Sequence, residues 1–176
     1  DNLVVWELKA SYLVYKIIIR LKDNSKLKKM NDTHQINNDT IRKSKILLVD
    51  DEPGLRTAVK TFLEDEGFEI FIAVDGEDGW EKAQTIFPDL IISDIMMPRS
   101  NGYALLEKIR EDEKLGGTPV IFLTAKGMTL DRTQGYLAGI DDYISKPFDP
   151  DELSARVKNV INRQERLLTE AARFAD

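Results

Sequence analysis

The sequence predicts an α/β domain: a five-stranded parallel sheet, doubly wound by helices on both faces, followed by a helical C-terminal extension. Two patterns predict it. From Lys45 onward, short apolar runs of strand length alternate with amphipathic stretches of helix length, the mark of repeated strand-helix units. Four of the runs also close on a polar residue able to do chemistry. Ile46–Val49 leads into Asp50 and Asp51, Leu90–Ser93 into Asp94, Val120–Leu123 into Thr124, and Asp142–Ser145 into Lys146. In an open parallel sheet with crossover helices such strand ends share one edge, so residues far apart in sequence converge on one crevice.

The elements follow in order. Strands are expected near 45–49, 68–74, 89–93, 118–123 and 141–144, with helices near 53–66, 76–87, 101–113, 128–138 and from 150 onward. Gly67, Gly116-Gly117 and Gly139 stand where the first, third and fourth helices should stop, since glycine tolerates the conformation that ends a helix. The last helix has its own start signal: Asp149 as N-cap, Pro150 at the first helical position and Glu152 at the third. Its apolar stripe, Leu153, Val157, Val160 and Ile161, continues through Leu167, Leu168 and Ala171 to Phe174 without a Gly or Pro. A terminal helix packing on its own domain, a connector to a further C-terminal domain and a dimer-forming coiled extension all fit that pattern. The expected division is an N-terminal extension over 1–44, a domain over 45–163 and a helical linker or dimerisation segment over 164–176.

The extension is different in kind. Residues 1–44 carry 9 Lys+Arg against 5 Asp+Glu, while the rest carries 16 against 26, so a lead of +4 precedes a body of -10. That acidic body is a poor match for nucleic acid, which is gripped by clustered Lys and Arg. From about Asn31 to Ser44 the chain is polar and aperiodic, a flexible lead-in. Leu3 to Leu21 is apolar, but Glu7, Lys9, Lys16 and Arg20 interrupt it, and no membrane span is expected. Met30 directly precedes the lead-in; a natural start there, with 1–29 as upstream readthrough, stands beside a functional extension as a reading. With no cysteine, disulfides and thiolate chemistry are excluded, and a single histidine, His34, in a polar stretch argues against a His-ligated metal or a His-based triad.

Taken singly the polar strand ends have ordinary explanations: a helix cap for Asp50-Asp51, a strand terminus for Thr124, half-buried packing for Tyr143, a solvated Lys146. Jointly they do not. Val49-Asp50-Asp51-Glu52-Pro53, Ser93-Asp94-Ile95-Met96-Met97-Pro98 with Gly102, Thr124-Ala125, and Gly139 through Asp141-Asp142-Tyr143 to Lys146-Pro147-Phe148 occur in that order. From Lys45 to about Arg163 the chain resembles the receiver domain of two-component response regulators. One small departure is Ile140, where alanine is commoner in the family.

The resemblance implies a flavodoxin-like sheet in the order 2-1-3-4-5, like that of chemotaxis receivers. It makes Asp94 the phosphoacceptor, fed by a histidine kinase or phosphotransfer protein, in a signalling domain that is not otherwise an enzyme. It has Asp51 and Asp94 ligate a cation directly, Met96 add its backbone carbonyl, and Asp50 act largely through water. The residue types agree. Three carboxylates at one sheet edge repel one another unless a cation sits among them, and with only oxygen donors on hand Mg²⁺ is the natural ion.

By the same resemblance Lys146 and Thr124 meet the phosphoryl group, and Ala125 leaves room beside it. Thr124 is then drawn in and Tyr143 turns inward, altering the surface made by the fourth predicted helix, the fifth strand and the fifth helix. Lys146-Pro147 is expected to be cis. Met96 and Lys126, two positions beyond Asp94 and Thr124, would tune dephosphorylation. The expected setting is a bacterial cytoplasm. The expected output is transcription regulation through a DNA-binding C-terminal domain absent from this chain, with a stand-alone receiver as the alternative, and a homodimer would form through the switching surface or the C-terminal helix. A small Mg²⁺ phosphatase of the haloacid dehalogenase type also uses an Asp nucleophile, but places it after the first strand, whereas the lone acceptor here follows the third.

Overall fold

The computed structural model describes residues 42–125 and 139–173. The helix expected over 128–138, Lys126, His34 and the whole of Leu3–Leu21 lie outside the described residues. Five strands, β1 (Lys45–Val49), β2 (Glu69–Ala73), β3 (Leu90–Asp94), β4 (Val120–Ala125) and β5 (Asp142–Lys146), form one parallel sheet in the order β2-β1-β3-β4-β5. The described helices are α1 (Pro53–Asp65), α2 (Gly76–Ile86), α3 (Gly102–Glu111) and α4 (Pro150–Arg173).

The strands read as continuous apolar runs because both sheet faces are covered. In β1 the alternation divides the residues between two cores: Ile46 and Leu48 join Val59 and Leu63 of α1 and Leu153, Val157 and Ile161 of α4. Leu47 and Val49 face the other way, with Ala83 of α2 and Leu105, Leu106 and Ile109 of α3. Ile46 to Val49 and Leu90 to Ile92 are wholly buried. Each such side chain contributes about 1.5–3 kcal/mol relative to exposure, so the two central strands form the rigid floor of the crevice.

Helix ends follow local chemistry. Asp75 accepts the backbone N–H groups of Glu77 and Asp78 at 2.9 Å to start α2, Asn101 accepts that of Ala104 at 2.9 Å to start α3, and Asp149 accepts that of Asp151 at 2.8 Å before α4. Gly67 follows α1 with φ 96. One expected end is corrected: α3 stops at Glu111, two residues before the expected 113 and ahead of Gly116-Gly117. Asp112 ends it, its Oδ1 accepting the N–H groups of Lys114 and Leu115 at 2.8 Å each, so a side chain competes with the helical ladder and winds 113–117 into a turn. Glu152 does stand at the third position of α4, but its carboxylate accepts from Arg156 Nε at 3.0 Å.

Two networks fasten the base of the sheet, the edge opposite the crevice. Arg110 of α3 donates to the carbonyls of Gly116 at 3.1 Å, Thr118 at 2.7 Å and Gly139 at 2.6 Å. Asp141 accepts the Val120 N–H at 3.0 Å and is met by Arg163 of α4 at 3.0 Å. Gln164 Nε2 donates to the Gly117 carbonyl at 3.3 Å. Beyond it Leu167 is 48% exposed, while Leu168 and Ala171 are half-buried. Among the described residues no helix is long and apolar enough to cross a membrane.

Candidate phosphoryl and cation site

Four strand ends build the crevice. Asp50 follows β1 immediately and is wholly buried; its N–H donates to the Ala73 carbonyl at 3.2 Å, and its Oδ1 accepts the Glu52 N–H at 2.8 Å. Asp94 ends β3. Its Oδ1 accepts the Met96 N–H at 3.0 Å, while buried Ser93 donates its hydroxyl to the Asp94 carbonyl at 2.8 Å. Gly102 sits where any Cβ would collide with the Asp94 carbonyl oxygen and lie 3.1 Å from the Ile95 Cα; the start of α3 packs directly on the back of the aspartate.

Lys146 closes the site from β5. Its Nζ donates to Asp50 Oδ2 at 2.8 Å and to Asp94 Oδ2 at 2.6 Å. Partial burial, the largest single influence, pulls the ammonium's pKa down, but the hydrogen bonds and charges of Asp50 and Asp94 together outweigh it and hold Lys146 above the ordinary lysine value. The Lys146-Pro147 peptide is cis. Carboxylate oxygens of Asp50, Asp51 and Asp94 all lie within 4.8 Å of one another. A donor set made only of oxygens, with Asp51 exposed at the mouth, suits a hard, partly hydrated divalent cation such as Mg²⁺.

The remaining expected residues fall around this centre. Thr124, 5% exposed, and exposed Ala125 end β4 beside Ser145 and Lys146 of β5. Met96 is 63% exposed at the rim. Tyr143 stands farther back: its half-buried ring packs edge-on to Phe122 at 6.2 Å, and Phe122 in turn meets Tyr103 of α3 at 5.1 Å. Arg56 of α1 was not anticipated. It donates to the Asp50 backbone carbonyl at 2.5 Å and so helps fix the turn that carries Asp50 and Asp51; no spacing in the sequence marks it out among the polar residues of α1.

Fold and site together define a doubly wound α/β domain with an acidic, lysine-closed pocket at the carboxyl edge of its sheet. Residues 46–158 match the response regulator receiver domain, and the chain belongs to that family. It is 54% identical over 121 residues to Response regulator Rre1 of Synechocystis sp., covering 68% of this chain and 52% of that protein. It is 40% identical over 123 residues to the DNA-binding dual master transcriptional regulator RpaA of the same organism, covering 70% and 51%. The chain thus spans about half the length of the curated relatives it matches. Among solved structures, chemotaxis response regulator CheY4 of Vibrio cholerae superposes with a TM-score of 0.63 at 32% identity, over 68% of this chain and 99% of that one.

Proposed function

We propose that this chain is the phosphoryl-accepting receiver of a two-component relay, with Asp94 as acceptor. The observation that carries the reading is the double contact of Lys146 with Asp50 and Asp94 inside a three-carboxylate cluster. Phosphoryl transfer asks a protein mainly for positioning and charge neutralisation. Here Asp94 stands at the end of a rigid central strand, held by its own Oδ1 contact to Met96, with its Oδ2 toward Lys146. The Asp94 carboxylate attacks phosphorus, the donor imidazole of a histidine kinase or phosphotransfer protein departs, and an acyl phosphate remains. Lys146 then exchanges one carboxylate contact for a phosphoryl oxygen, and Thr124 donates its hydroxyl to another. A Mg²⁺ held by Asp51, Asp94 and the Met96 carbonyl, with Asp50 acting through water, would supply the remaining positive charge.

Coupling outward runs from Thr124 through Tyr143, and the responding surface includes β5 and α4. Residues 45–163 form the receiver, 1–44 precede it, and 164–176 lead toward an output or a second copy. The output is transcription in a bacterial cytoplasm, through a DNA-binding domain carried elsewhere in the protein. That part of the reading rests on RpaA, which matches over 51% of its own length and is described as DNA-binding. The match over 99% of CheY4 favours a second reading, a stand-alone receiver acting by protein contact.

The test is to incubate the chain with acetyl phosphate and Mg²⁺ and weigh it. One phosphoryl group should add to the wild type and none to Asp94→Asn; full labelling of the variant would refute the acceptor.

A further inference from the structure

The loop leaving β3 is pinned at its far end by contacts outside the carboxylate cluster. Arg99 lies in the left-handed region with φ 69, a conformation that side chains other than glycine rarely adopt. Its guanidinium pairs with the Asp75 carboxylate through Nη2 and Oδ2. The Asp75 side chain is 3% exposed, and its other oxygen is already committed to the N–H groups of Glu77 and Asp78 at the start of α2. Arg99 therefore completes a buried carboxylate that also caps a helix. Next to it the Gly76 N–H donates to the Ser100 carbonyl at 3.0 Å. A Cβ at position 76 would come within 2.6 Å of Ser100 Oγ and 2.8 Å of its carbonyl oxygen.

An ion pair, a backbone hydrogen bond and a glycine-only fit thus clamp one end of the segment 95–101 to α2. The near end carries Met96, whose N–H is on Asp94. Only Met97 and Pro98 separate Met96 from Arg99, and Met97 is 8% exposed while proline fixes its own φ. A segment this short and this constrained transmits displacement from one end to the other.

We propose that Arg99 is a positioning residue for the cation site: paired with Asp75, it sets where the β3 loop presents the Met96 backbone carbonyl beside Asp94. The inference rests on the receiver reading above. It predicts that the tether is felt as metal affinity, through a side chain that touches neither the ion nor the acceptor.

Mg²⁺ binding to the full chain is measured by titration calorimetry for the wild type, Arg99→Gly, Arg99→Lys, Asp75→Asn and the Arg99→Gly/Asp75→Asn pair. Glycine removes the tether and relieves the left-handed backbone together, so that variant should fold, as circular dichroism will report. Arg99→Gly and Asp75→Asn should each weaken Mg²⁺ about three- to ten-fold. That is less than the 10–100-fold typical of residues that bond a metal ligand directly, because the Arg99 side chain is 76% exposed. The double variant should be no weaker than either single one, since both remove the same contact, and Arg99→Lys should recover part of the loss. In acetyl phosphate labelling the half-saturating Mg²⁺ concentration should rise by the same factor while the rate at saturating Mg²⁺ is unchanged. Affinities within about twofold of wild type in both single variants, whatever their melting temperatures, would overturn the proposal. So would a fall in the saturating rate with unchanged half-saturation. Should Arg99→Gly not fold, Asp75→Asn and Arg99→Lys decide by the same criteria. A wild type that binds no Mg²⁺ would overturn the receiver reading itself, and this inference with it.

Discussion

Replacing Lys146 with methionine removes the ammonium and keeps most of its unbranched stem. The lost contacts are the 2.8 Å and 2.6 Å pairs to Asp50 and Asp94, whose side chains are 0% and 13% exposed. At an effective dielectric constant of about 20 each pair represents roughly 6 kcal/mol of gross attraction. Desolvation cancels most of that, and removing one partner of a buried pair costs about 3–5 kcal/mol net. Lys146 is itself 22% exposed, so water reaches the vacated position and the expected cost falls to about 2–3 kcal/mol. Urea unfolding in EDTA, followed by circular dichroism, measures it. Repeating the titration in excess Mg²⁺ should shrink the deficit, because the variant's carboxylates bind the ion without competition from an ammonium and binding stabilises by mass action. A loss below about 0.5 kcal/mol in EDTA would place the pair in the class of surface ion pairs and refute the argument. So would a deficit that Mg²⁺ leaves unchanged.

Two glycines should respond in opposite directions to alanine. Gly102→Ala drives a Cβ into the Asp94 backbone and should cost about 1–3 kcal/mol, with slower acetyl phosphate labelling. Gly54→Ala meets nothing within 4 Å on exposed α1 and should gain about 0.4–1 kcal/mol; denaturation midpoints decide both. Lys146 titrates above its ordinary value in the fold, so its contribution is complete below about pH 10.4 and is lost as pH rises through the higher folded value. The stability gap between wild type and Lys146→Met should therefore hold steady at neutral pH and close only in strong alkali; a gap that closes near neutrality would be the wrong sign. Neither Met96 nor Lys126 offers a base to an attacking water, and general-base help is worth about 10²–10⁴-fold. The phosphoryl group should thus decay over many minutes once the donor is removed, and faster in Met96→Asn with Lys126→Glu. Wild-type decay within seconds would end that argument.

The strands were legible because both faces of the sheet are buried. A run such as Ile46–Val49, with every residue inside, leaves a signal that a half-exposed strand would not. Their ends slipped by a residue or two for the same reason, since β4 keeps Thr124 buried past the last apolar residue and hydrophobicity does not mark where pairing stops. Asp50, Asp51, Asp94 and Lys146 could be placed together because parallel topology puts the carboxyl ends of strands on one edge. The third helix ends two residues before the expected 113 because the short side chain of Asp112 reaches the backbone first. The arginine contacts left no trace at all. Arg56 on the Asp50 carbonyl, Arg99 on Asp75 and Arg110 on three carbonyls depend on how loops pack, and a lone arginine reads the same whether it is tethered or solvated.

The route by which the chain closes its own crevice bears on how it is made. Asp50 and Asp94 arrive on neighbouring central strands, β1 and β3, whereas their ammonium comes from β5, the edge strand, 96 residues after Asp50 and 52 after Asp94. During synthesis the carboxylates therefore leave the ribosome before the group that neutralises them. Until β5 docks, a nascent chain that has paired β1 with β3 holds clustered negative charge at one pole, and the last strand to be made is also the one that discharges it. Final closure is favoured electrostatically as well as by apolar contact, and a chain arrested before Asp142 would depend on a free cation to hold the same arrangement.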